Sequence, residues 1–94
     1  MLDLSVLQSI SSRLMQGDPA LGTKRIGRGR LRTVKFAMGG RDYQAIEQNP
    51  ERPSRWGQLA REGHKVVQFK DVALNKYVAV AVDGEVKEYG RSTA

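Results

Sequence analysis

The chain has 94 residues, a formal net charge of +6, no cysteine, and a single histidine and tryptophan. A chain of this length makes one domain that buries only a little over about 60% of the surface it exposes when unfolded, so its core is small. With no cysteine, disulfides, thiolate metal sites and thiol catalysis are excluded, and packing alone must hold the fold.

No stretch approaches the roughly 18 consecutive apolar residues of a membrane span, and Asp3 stands where a secretory signal carries positive charge; the expected location is the cytoplasm. The charge is uneven. Between Gly22 and Arg41 lie Lys24, Arg25, Arg28, Arg30, Arg32, Lys35 and Arg41 with no acid, while the rest of the chain holds 9 basic against 10 acidic groups. A localised basic block predicts an anionic partner, either nucleic acid or an acidic protein surface.

Leu4, Leu7, Ile10 and Leu14 recur at intervals of three and four among polar residues, which predicts an amphipathic helix over about 3–16. Asp3, or Ser5 with Gln8 in a capping box, would start it, and Gly17 followed by Pro19 would stop it. Residues 18–30 carry Pro19, Gly22, Gly27 and Gly29 with few apolar groups and read as a basic flexible arm. Alternation then resumes, predicting a hairpin of 32–38 and 42–48 about Gly39-Gly40. After Asn49-Pro50 and Arg52-Pro53, Ser54 can cap a short helix ending near Glu62, with Trp56, Leu59 and Ala60 on one face.

Val66–Phe69 predicts a strand, and the run from Tyr77 to Val82 a central strand apolar on both faces, turned by Asp83-Gly84 into a last strand containing Val86 and Tyr89. Residues 91–94 are expected to fray. The expected fold is α+β: a small five-stranded antiparallel sheet, either open with both helices on one face or curled into an SH3-like barrel. An N-terminal helix precedes it and a short helix separates strands 2 and 3. The small alanines Ala79 and Ala81 offer room for that short helix and for Trp56. The organisation is one domain, with a helix at 3–16, an arm at 18–30 and a β-rich core at 31–90.

Arg28-Gly29-Arg30 is the sharpest motif. Two arginines about one glycine can lie flat in a minor groove, and the tripeptide resembles the core of an AT-hook. The likeness covers three residues, and Gly27 and Leu31 stand where such a hook has stiffening prolines. The span from Gly17 to Lys24 has P-loop glycine spacing, but it ends Thr-Lys in the wrong order and follows a helix rather than a strand. Gly27-Arg28-Gly29 fails as a dinucleotide fingerprint because Arg32 stands at the third glycine. His64 has no nearby ligand set for a metal, and no nucleophile-elbow pattern is present. Tyr43, Tyr77 and Tyr89 are the aromatics expected to be exposed and able to stack bases, whereas Phe36, Trp56 and Phe69 are expected in the core.

These features predict a non-catalytic nucleic-acid-binding module without cofactor or metal. Lys24, Arg25, Arg28, Arg30, Arg32, Lys35 and Arg41 contact phosphates, with Arg55 and Arg61 extending the patch. Engagement of about six phosphates would lower affinity by roughly three orders of magnitude between 50 and 200 mM salt. The alternative is a protein-interaction, accessory or inhibitor module that uses the N-terminal helix, through which it could also self-associate, and meets an acidic partner with the basic arm.

Overall fold

The computed structural model describes residues 2–28 and 30–89. Its first element, α1 (Leu4–Gln16), forms where the three-and-four spacing predicts it. Of the two candidate caps Asp3 is the one used: its Oδ1 accepts the Ser5 and Val6 backbone N–H groups and the Ser5 hydroxyl. At the other end Gly17 turns left-handed at φ 72°, and the N–H groups of Gly17 and Asp18 return to the carbonyls of Leu14 and Arg13. Arg13 Nε also pairs with Asp18 at 2.9 Å, locking the exit. Asp18, which would have opposed phosphate in a P-loop, instead caps a single 3₁₀ turn at Pro19–Leu21.

The chain then builds one antiparallel sheet: β1 (Lys24–Ile26), β2 (Leu31–Met38), β3 (Arg41–Glu47), β4 (Val66–Asp71), β5 (Lys76–Val82) and β6 (Glu85–Glu88), in that spatial order. The second helix, α2 (Arg55–Arg61), lies between β3 and β4, started by Ser54 Oγ, which accepts the Gly57 N–H. Two tight turns set the register. Gly39-Gly40 (φ 61° and 77°) and Asp83-Gly84 (φ 52° and 86°) both place two successive residues in the left-handed region, as a two-residue hairpin of matching twist requires.

Register divides the residues between two faces. Val34, Ala45, Phe69 and Ala79 are successive cross-strand partners, as are Val67 and Ala81 one step along, and all face α1. Leu7 and Leu14 are fully buried against them, with Ile10 beside. Phe69 packs edge-on to Phe36, which stacks on Tyr43. The opposite face carries Thr33, Ile46, Gln68 and Val80 as register partners. There α2 packs on β4, and Trp56 meets Tyr89, whose hydroxyl donates to Gln68 Oε1.

Several expectations are corrected or decided. The described residues hold six strands, not five, because part of the expected arm pairs as β1, with Lys24 opposite Thr33 and Ile26 opposite Leu31. Of the two forms expected, the sheet takes the open one rather than the barrel, with β1 and β6 as its two edges. The helices lie on opposite faces. The alanine face takes α1, whose leucines fill the room that Ala79 and Ala81 leave, and Trp56 sits on the valine side instead. The run from Tyr77 to Val82 is an interior strand, buried on both faces from Ala79 to Ala81 but exposed at Tyr77, and it is fifth of six. The expected fraying of 91–94 lies outside the described residues.

Candidate nucleic-acid interface

The structure sorts the seven predicted cations by what each already holds. Arg32 points from β2 toward α1, where its Nε and Nη2 meet the two carboxylate oxygens of Glu47 at 3.2 Å and its Nη1 donates to the Met15 carbonyl at 3.1 Å. Glu47 also accepts the Arg32 backbone N–H at 3.0 Å. Arg32 is therefore a strut that ties the end of α1 to β2 and β3. Arg41 opens β3 and pairs at 2.8 Å with Asp71, whose side chain is only 4% exposed. It stands at the Gly39-Gly40 end of β2, about 23 Å along the strand from Leu31, so it cannot share a patch with the β1–β2 turn.

The other five, Lys24, Arg25, Arg28, Arg30 and Lys35, are exposed and make no ion pair among the described residues. All belong to the β1–β2 hairpin. Lys24 and Lys35 lie on the sheet face opposite α1, Arg25 on the α1 face, and Arg28 and Arg30 in the turn between the strands. Arg25 Nη1 donates across the hairpin to the Arg30 carbonyl at 2.9 Å, and the Arg30 N–H closes the turn on the Gly27 carbonyl. Arg30 adopts φ 51°, unusual for a bulky side chain. Gly29, the centre of the AT-hook-like tripeptide, lies outside the described residues. Beside these cations a groove of about 520 Å³ opens at the end of β1, lined by Lys24, Arg25, Ile26, Thr33, Lys35 and Gln44. From Arg30 to Lys35 the hairpin runs about 17 Å, close to five nucleotide steps of 3.4 Å.

Arg61 does not extend this patch. Its Nη1 donates to the Pro50 and Arg52 carbonyls at 2.5 and 2.8 Å and holds the 49–53 loop onto α2. Arg55 lines a separate groove with Trp56 and Val82. His64 Nδ1 lies 2.7 Å from Asp83 Oδ2, while Asp83 Oδ1 accepts the Lys65 N–H. Those contacts, the Lys65 N–H first, hold the Asp83 carboxyl below the usual aspartate value. Among the described residues no three His, Asp or Glu gather as metal ligands, and no helix is long and apolar enough to cross a membrane. Of the tyrosines expected to be exposed, Tyr43 is 5% exposed and Tyr77 45%, while Tyr89 is half-buried.

The Arg32–Glu47 strut makes stability pH-dependent. Burial, the largest single influence on Glu47, pushes its pKa up, but the hydrogen bonds and charge of Arg32, joined by the charge of Arg25, outweigh it and leave it below 4.5. A carboxylate with a depressed folded pKa contributes stability in full above its unfolded value, and that contribution is lost as pH falls through the folded one. Glu47→Gln is expected to cost about 1–3 kcal/mol at pH 7 in urea unfolding. The gap to the parent should narrow below about pH 4; a gap that stays constant down to pH 3 would contradict the assignment.

Comparison with known protein families, curated proteins and solved structures finds no match to this chain.

Proposed function

We propose that this chain is a non-catalytic module that binds nucleic acid through phosphate contacts made by the β1–β2 hairpin. One observation carries the reading: five cations without a carboxylate partner among the described residues are gathered on a single edge hairpin beside a groove, while Arg32 and Arg41 are held by acids. Charge that the fold does not neutralise is available to an outside anion. The alternative of a protein contact or self-association through α1 loses its motive, since Leu7 and Leu14 lie under the chain's own sheet.

Engagement of about five phosphates predicts that affinity falls roughly 100- to 500-fold between 50 and 200 mM salt, the smaller figure for single strands and the larger for duplex. Anisotropy titrations of labelled nucleic acid measure this. Changing Lys24, Arg28 and Arg30 together to alanine should weaken binding across sequences and reduce the salt slope by about three. Arg32 is left intact in this experiment because its loss would disturb the fold. Affinity that is flat with salt, or unchanged in the triple variant, would sink the proposal.

A further inference from the structure

On the sheet face opposite α1, register sets four residues in one row across four strands: Lys35 opposite Gln44, Gln44 opposite Lys70, and, just past a register shift between Phe69 and Lys70, Lys70 opposite Tyr77. Three inter-strand steps span about 14 Å, or four nucleotide steps of 3.4 Å. The row lies toward the β2–β3 and β4–β5 turns, whereas α2 and Tyr89 cover the end marked by Val66 and Gln68. One end of the row is Lys35, a cation of the hairpin interface. The other end is Tyr77, the most exposed aromatic side chain among the described residues, with Lys70 Nζ 5.6 Å from its ring centroid. Beside Tyr77 the β4–β5 turn exposes Val72 and Leu74, the latter 60% exposed. An open groove lined by Lys35, Phe36, Ala37, Asp42 and Val72 runs from the Lys35 end of the row to the start of the β4–β5 turn.

We infer that the ligand of this face is single-stranded nucleic acid, crossing the strands from Lys35 to Tyr77 with one base stacked on the Tyr77 ring and its phosphates at Lys35 and Lys70. This rests on the proposed hairpin interface and names its substrate class. The physical reason is selective. A duplex already covers both faces of each base with its neighbours, so an exposed tyrosine adds nothing to its binding. A single strand can turn a base out onto an aromatic ring, and every base has a face to offer. Lysine beside the ring adds phosphate attraction at the same point, and apolar Val72 and Leu74 border the stacked base. Asp42 is the one carboxylate lining that groove and opposes a passing phosphate.

The test compares a labelled single-stranded dT 12-mer with a duplex 12-mer at about 50 mM salt. Tighter single-strand binding is expected, and Tyr77→Ala should weaken it about tenfold or more while leaving duplex affinity unchanged. Tyr77→Phe, which keeps the ring, should bind like the parent, and Asp42→Asn should bind the single strand more tightly. Equal or tighter duplex binding overturns the inference, as does single-strand affinity indifferent to Tyr77→Ala. In either case, if the Lys24, Arg28 and Arg30 variant still weakens binding, the hairpin interface survives. Absence of binding to both probes at low salt overturns the inference and the interface together.

Discussion

Removal of residues 1–17 is expected to leave a chain that does not fold. Among the described residues, Leu7, Ile10 and Leu14 are the buried hydrophobic side chains from outside the sheet in the core with Val34, Ala45, Val67, Phe69, Ala79 and Ala81, and of the partly buried groups packed around them from outside the sheet only Leu21 would remain. Burying three such side chains contributes roughly 5–9 kcal/mol by transfer, and uncovering the sheet face beneath them adds a comparable loss. Domains of this kind hold a net stability of about 5–15 kcal/mol, so the deletion removes essentially all of it. Circular dichroism and urea titration of the 18–94 chain should show a loss of cooperative unfolding, and Leu7→Ala in the full chain should cost about 2–5 kcal/mol. A truncated chain that unfolds cooperatively near the parent midpoint would mean that the sheet closes without α1, and would return the helix to its role as a partner surface.

The helix was readable from sequence because its signals are local: three-and-four spacing, Asp3 before it and Gly17 after it. The turns at Gly39-Gly40 and Asp83-Gly84 were readable for the same reason, since two adjacent residues that tolerate positive φ nearly dictate a two-residue hairpin. What was missed depends on residues far apart in the chain. Lys24, Arg25 and Ile26 show no alternation of their own and become a strand because Leu31, Arg32 and Thr33 supply a ladder. The two small alanines of β5 announced that a helix packs there without saying which one. The longer helix, with Leu7, Ile10 and Leu14 buried on three successive turns, covers more apolar surface and takes the place.

The candidate site divides along the same line. The basic block was plain in the sequence, but not which cations the fold would claim, because Arg32 meets Glu47 and Arg41 meets Asp71 only once the strands are in register. Arg32 and Arg25 are cross-strand partners on one face, so one strut and one free cation stand side by side. The row from Lys35 to Tyr77 needs three successive ladders to be known, and no local pattern announces it.

Gly57→Ala is expected to destabilise the protein by about 2 kcal/mol, which for a domain of this size lowers the melting temperature by roughly 10 °C. Two effects compete at this position. Alanine is the better helix former by about 1 kcal/mol in a helix interior. Yet Gly57 is buried beneath the 49–53 loop, and a Cβ there would lie 2.1 Å from the Arg52 carbonyl oxygen and 2.9 Å from its carbon. Those are backbone atoms, so no rotamer change relieves the clash; the loop must lift. Lifting it pulls the Pro50 and Arg52 carbonyls from the Arg61 guanidinium, and the short α2 has little else to hold it. Arg61→Ala breaks the same contact from the other side, so the double variant should be less destabilised than the two single effects combined. Trp56, the only tryptophan, sits on α2 against Tyr89, and its fluorescence should report the loosening directly. No hydrogen bond or ion pair among the described residues links the β1–β2 hairpin to α2 or the 49–53 loop, so nucleic-acid affinity at a temperature where the variant is folded should match the parent. A Gly57→Ala variant as stable as the parent would show that the loop does not bear on the helix.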